Sequence, residues 1–200
     1  MDVATGLDLT LRFGQRQAVN APTPMDLDDA ALVDAALVDA ARNGDRAAFG
    51  QLYQRYQRMV HGVLLTRVPP GDVPDLVQEV FLLAMRKLGS LREPGAFGGW
   101  LAMIARNRAT DFFRRRRETD ELPEQMPGQQ SKSPEAKEAF LAIQSLPEAY
   151  REPLILRLVE GLTGQEIADR TGLKPASVRV NLHRGMKMLR QKLGWSATDA

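Results

Sequence analysis

The segment Leu162-Thr-Gly-Gln-Glu-Ile-Ala-Asp-Arg-Thr-Gly-Leu173, followed by Lys174-Pro-Ala-Ser-Val-Arg-Val-Asn-Leu-His-Arg184, admits few folds. It reads as two short helices around a tight turn. Thr163 is placed to cap the first helix, and Glu166, three residues on, to complete a capping box. Gly172 supplies the permissive backbone that a sharp turn needs, and Pro175 suits the first position of the next helix. Ile167, Ala168, Leu173, Val178 and Leu182 are spaced to pack inward, with Ala168 small enough for a close helix crossing. That turns Ser177, Arg179, Asn181 and Arg184 outward, with the chemistry for phosphates and base edges. The pattern predicts a helix-turn-helix with a DNA partner.

Charge supports this reading. From Lys174 to Lys192 there are six basic residues and no acidic one, whereas a solvated surface helix mixes signs along its exposed face. The net charge of the whole chain is only +2, so nucleic-acid binding rests on local clusters. A 44% hydrophobic and 26% charged composition predicts a globular protein rather than a disordered one. No run approaches the ~18–20 apolar residues of a membrane span, and no secretory signal is legible. With no cysteine, disulfides and thiolate metal sites are excluded, which fits a reducing, cytoplasmic setting.

No segment alternates as a strand, so the expected class is all-α: two small helical domains joined by a flexible linker. Residues 1–35 read as a partly disordered N-terminal extension, carrying Pro22 and Pro24. The run Ala-Leu-Val-Asp-Ala occurs at 31–35 and again at 36–40; it favours helix, but a five-residue repeat drifts around the axis and makes no clean stripe. Residues 36–117 form the first expected domain. Phe49, Leu52, Tyr53, Tyr56, Met59, Val60, Val63 and Leu64 recur at helical spacing. A further amphipathic helix is expected from Asp72 to Leu88, then a loop from Gly89 to Gly99, then a basic helix from Trp100 to about Arg117. Residues 118–138 read as an acidic linker broken by Pro123, Pro127, Gly128 and Pro134. Residues 139–194 form the other domain, and 195–200 a frayed tail.

Three blocks in this order give the chain a resemblance to the extracytoplasmic function (ECF) sigma factors, two-domain members of the bacterial sigma-70 family. They are Asp75-Leu-Val-Gln-Glu-Val-Phe81, Trp100-Leu-Ala-Met-Ile-Ala-Arg-Asn-Arg-Ala-Thr-Asp111 with the arginine run after it, and the helix-turn-helix. The resemblance covers residues from about 36 to 194. It departs from the family pattern at Val180-Asn181 and at Gly185, which bears on base preference rather than on class.

The resemblance implies a promoter-specificity subunit of bacterial RNA polymerase, acting in a stress or envelope response, needing no cofactor and catalysing nothing itself. The block from Asp75 resembles the helix that grips core polymerase, with Asp75, Gln78, Glu79, Met85 and Arg86 as candidate contacts. The apolar set Leu76, Val77, Val80, Phe81, Ala84 and Leu88 would face the core. The block from Trp100 resembles the promoter-melting helix, whose preceding loop, about Ser90 to Phe97, receives a base turned out of the duplex. Candidate minus-10 contacts are Ser90, Phe97, Trp100, Arg106, Asn107, Arg108, Arg114 and Arg115; read from composition alone, Phe97 and Trp100 are core or loop anchors. Candidate minus-35 contacts are Lys174, Ser177, Arg179, Val180, Asn181 and Arg184. An anti-sigma factor is the further partner that family membership implies.

A linker of 21 residues (138 − 118 + 1) reaches at most ~70–75 Å, about two turns of duplex, so two separate promoter elements fall within its span. Two other readings compete. An autonomous helix-turn-helix regulator explains the C-terminal domain but not the Trp100 helix and its loop. A nucleic-acid enzyme would need catalytic groups, and His61 and His183, the only histidines, have no paired-carboxylate or metal-ligand spacing around them.

Overall fold

The computed structural model describes residues 27–118 and 134–194. Most of the expected linker, most of the N-terminal extension and the 195–200 tail lie outside the described residues. Among those described there are eight α-helices, three short 3-10 turns and no strand.

The first four helices are α1 (Leu27–Arg42), α2 (Arg46–Leu65), α3 (Val73–Lys87) and α4 (Phe97–Glu118). The expected domain boundary at 35/36 therefore falls inside α1. Asp45 caps α2, its carboxylate accepting from the amides of Ala47 at 2.8 Å and Ala48 at 3.1 Å. The six residues expected inward, Leu76, Val77, Val80, Phe81 and Ala84 on α3 and Leu88 just past its end, are all buried. Helix α4 buries Leu101, Ala102, Ala105 and Ala109, a narrow strip of small side chains that lets it lie close to its neighbours. It begins at Phe97 rather than Trp100, because the 3-10 turn Pro94–Ala96 runs straight into it.

The remaining helices are α5 (Pro134–Gln144), α6 (Glu148–Leu158), α7 (Gly164–Thr171) and α8 (Pro175–Lys192). Pro134, expected to break helix within the linker, is instead the first residue of α5, where its missing amide proton costs nothing. The capping box forms as expected: the Glu166 amide donates to Thr163 Oγ1 at 3.1 Å, and the Thr163 amide to Glu166 Oε2 at 2.8 Å. Gly172 ends α7 with φ of 72°, a left-handed conformation in which a side chain is strained.

The two bundles are not held apart. One contiguous apolar core passes through both, and the seam between them is lined with glycines. A Cβ at Gly62 would stand 2.6 Å from Leu156 Cδ2, and one at Gly98 would stand 2.8 Å from the Arg170 carbonyl oxygen. A Cβ on Gly172 would lie 3.2 Å from Gly99 Cα. The turn of the helix-turn-helix thus rests on the first turn of α4. Polar contacts flank this seam. Glu160 pairs with His61 Nδ1 at 2.6 Å and Arg58 Nε at 3.9 Å, and Gln144 Nε2 donates to the Leu65 carbonyl at 2.9 Å.

Candidate nucleic-acid interface and docking face

Helix α8 turns Val178, Gly185 and Leu189 inward. Of the residues expected at upstream DNA, Lys174, Ser177, Arg179, Val180 and Arg184 are exposed, while Asn181 is half-buried. His183 and Lys187 are exposed on the same outer side, opposite Val178 and Leu189. The 3.6-residue period implies this direction for Lys187, although the charge run alone gives it no specific role. Gly185 has a packing reason. A Cβ there would stand 3.0 Å from Leu154 Cδ1 and 3.1 Å from Tyr150 Cβ, so α8 lies unusually close to α6.

Beneath this helix, burial disfavours charge on Glu166, yet the hydrogen bonds from Thr163 and the guanidiniums of Arg170 and Arg58 hold its carboxyl below the ordinary value. Burial raises the Asp169 carboxyl. Glu166 bonds to Thr163 and Arg170, and Asp169 to Gln165, so both tie down α7, against which α8 packs.

The outer side of α4 carries Met103, Asn107, Thr110 and Arg114, which lie opposite Leu101, Ala105 and Ala109; all four are exposed. Met103, 57% exposed, and Thr110 were not among the expected contacts, although the buried strip fixes their direction. Arg114 pairs with Asp111 at 3.0 Å and remains largely in solvent, and Arg115 is exposed. Arg116 lies over the Phe112 ring, 5.7 Å from its centroid.

Several expected contacts are placed differently. Phe97 is fully buried, stacked edge-on against Tyr56 with ring centroids 5.2 Å apart and tilted against Trp100 at 5.9 Å, so it is a core anchor of the loop and has no open face for a base. The half-buried Trp100 packs on it. Arg106 is engaged across the seam by Glu152 of α6, a residue also paired with Arg67 at 3.4 Å. Arg108, expected at DNA, pairs with Glu79, expected at the polymerase; these side chains share one ion pair rather than two surfaces. Ser90 is exposed, its hydroxyl donating to the Lys87 carbonyl at 2.6 Å.

On α3, Asp75, Gln78, Glu79, Met85 and Arg86 are all exposed. Leu82 stands among them, 52% exposed, beside Met85 at 49%. It was missed because any leucine in an amphipathic helix reads as core, yet the six inward positions leave it on the other side. The result is an apolar centre with a polar rim, the anatomy of a protein-docking face.

Under the N-terminal bundle, Asp34 of α1 is buried. It accepts from the Tyr56 hydroxyl and pairs with Arg55 Nε at 2.9 Å. Burial first, then the Asp34 carboxylate, pushes the Tyr56 phenol far above its ordinary value, so Tyr56 stays a neutral donor. Among the described residues no group of three or more acidic, His or Cys side chains is gathered as a metal site, and no helix is long and apolar enough to cross a membrane.

Two helical bundles, one bearing a basic helix-turn-helix and the other an exposed Leu82–Met85 patch on α3 beside a basic α4, are the architecture of the sigma-70 class. The Sigma-70 region 2 family matches residues 52–119, and the Sigma-70, region 4 family matches residues 137–189. The ECF RNA polymerase sigma-E factor of Haemophilus influenzae is 34% identical over 186 residues, 84% of this chain and 96% of that protein. The sigma-E factor of Escherichia coli K12 is 35% identical over 181 residues, covering 81% and 95%. The chain belongs to the ECF sigma factors. Two solved structures share its fold. CnrH, in complex with the cytosolic domain of CnrY, has a TM-score of 0.58 at 24% identity, over 82% of this chain and 99% of that one. The sigma factor RpoE of Bartonella quintana, in complex with the anti-sigma factor NepR, has 0.53 at 20% identity, over 73% and 96%.

Proposed function

We propose that this sigma factor joins core RNA polymerase through α3 and reads promoters at two places. Gln78, Leu82, Met85 and Arg86, with Asp75 beside them, form the docking face. The loop 89–96 and the outer side of α4 take the melted downstream element. Helix α8 reads upstream duplex through Ser177, Arg179, Val180 and Arg184, with Lys174 and Lys187 on phosphates. The observation that carries this reading is the pair of outward faces, the acid-free basic side of α8 and the Leu82–Met85 centre of α3, both turned away from the shared core.

The packed arrangement adds a requirement. With the helix-turn-helix turn against α4, the two DNA-reading helices form one body, and elements about two duplex turns apart cannot both be reached. The seam parts on the polymerase. Its polar flank makes this feasible, because charges such as Glu152 and Arg106 regain hydration when separated. Residues 119–133, between the two helix ends, then span up to ~55 Å.

The chain supplies no chemistry to transcription; bond formation belongs to the polymerase, and the chain works in the cytoplasm, where the polymerase is. An anti-sigma factor is a further partner, a reading supported by the complex in which the sigma factor RpoE was solved with NepR. Run-off transcription with core polymerase, set beside gel shifts of naked promoter duplex, tests the whole. Selective initiation with weak binding to naked duplex is expected. Tight duplex binding by the chain alone, without selective initiation, would instead make it an autonomous regulator.

A further inference from the structure

We infer that Arg42, in the last turn of α1, is a positioning residue for the loop that captures the melted base. The inference rests on the reading of residues 89–96 given above. Helix α1 lies ahead of the Sigma-70 region 2 match, which begins at residue 52.

The guanidinium of Arg42 spans the start of the loop. Its Nε donates to the Leu88 carbonyl at 3.2 Å, and Nη2 donates to the Leu91 carbonyl. Nη1 is held by Asp39 at 3.1 Å, which sets the plane of the fork. The two carbonyls bracket the 3-10 turn Leu88–Ser90, and Leu91 is buried beneath it. Near the far end, Gly95 lies against α1 as well: a Cβ there would sit 3.5 Å from the Ala31 carbonyl oxygen and 3.7 Å from Ala31 Cβ. One helix therefore holds the loop close to both ends, while Arg92 and Glu93 between them stay exposed.

A loop that orders only when a base enters must offset that ordering with contacts to the base, leaving little for choosing among bases. A loop ordered beforehand keeps those contacts for discrimination. Arginine suits the task because its planar fork reaches two carbonyls at once; lysine, a point donor, can satisfy one.

The test uses the full chain with core polymerase, on promoters carrying each of the four bases at the melted positions, for wild type, Arg42→Ala, Arg42→Lys and Arg92→Ala. Amide exchange of residues 89–96 is followed in the free chain. Arg42→Ala should quicken loop exchange and lower the preference between best and worst base, each about tenfold. Upstream preference and polymerase affinity should stay within about twofold of wild type, and Arg42→Lys should recover part of the loss. Unchanged exchange and preference in Arg42→Ala would overturn the inference, as would an equal fall in polymerase affinity and preference. A preference altered by Arg92→Ala but not by Arg42→Ala would overturn the role of Arg42 while leaving base capture by the loop in place. Quickened exchange with no change of preference in either variant would remove base capture and the inference with it.

Discussion

Glu152 and Arg106 meet side by side across the seam between the two bundles, with Arg106 Nε 3.2 Å from Glu152 Oε2 and Nη2 2.6 Å from Oε1. A carboxylate of the C-terminal half thus occupies an arginine of the helix proposed to face melted DNA, in the fork geometry a phosphate would use. Glu152→Gln keeps the shape and removes the charge, leaving Arg106 and Arg67 with a weakened partner. The packed state should lose about 1–3 kcal/mol. Small-angle scattering of the free chain should then report a larger radius of gyration, and the chain should bind forked promoter DNA more tightly. A radius unchanged from wild type would show that apolar contacts such as Leu156 over Gly62 hold the seam unaided.

The docking face is tested best away from its ion pair. Glu79→Ala would also release Arg108, so its effect is mixed. Leu82→Ser with Met85→Ser removes two apolar side chains that are about half exposed, at 52% and 49%, and leaves every ion pair in place. Affinity for core polymerase should fall at least about tenfold, with the unfolding midpoint of the free chain unmoved. Wild-type affinity in the double variant would place the docking face elsewhere.

Base reading and phosphate contact separate on α8. Arg179→Ala should cost about 1–3 kcal/mol and relax preference at one upstream position. Lys187→Ala should weaken binding evenly across sequences and reduce the salt slope by about one. A uniform loss from Arg179→Ala would make it a phosphate contact.

Acid should loosen the C-terminal half through two carboxylates. Hydrogen bonds from Thr163 lower the Glu166 carboxyl against the opposing effect of burial, and Arg67 lowers that of Glu148 across the seam. A depressed folded-state value contributes stability above the unfolded value, and that stability is lost as pH falls through the folded one. Asp169, raised by burial, runs the other way, so the informative comparison is between variants. Thr163→Ala should cost about 1 kcal/mol at neutral pH and flatten the acid limb of stability between about pH 3 and 5. Urea unfolding across that range measures both; parallel limbs in the two proteins would deny Glu166 its part.

Much of this fold was legible where periodicity speaks. The inward residues of α3 and the capping box at Thr163 follow from spacing alone, because local geometry decides them. What spacing cannot say is which charge meets which. Arg106 and Glu152 lie 46 residues apart, as do Arg42 and Leu88, and no pattern in the chain couples them. The repeated Ala-Leu-Val-Asp-Ala shows the same boundary. Five residues turn a helix by about 140° beyond a full revolution, so equivalent aspartates part company: Asp34 is buried on Tyr56, and Asp39 faces solvent beside Arg42. Phe97, flanked by Gly95, Gly98 and Gly99, has two readings in the sequence, a core or loop anchor by composition and a base contact by resemblance. Only the contacts of Tyr56 and Trp100 show it to be the anchor on which that loop is built.

The central claim is that two packed halves separate to read one promoter. Because the chain has no cysteine, Gln51→Cys on α2 and Gln191→Cys on α8, both exposed positions, give a unique pair of spin labels. Their separation is measured in the free chain and in the polymerase–promoter complex. One narrow distance distribution is expected in the free chain, and a lengthening of about a duplex turn, ~34 Å, in the complex. An unchanged distance in a complex that initiates selectively would contradict it.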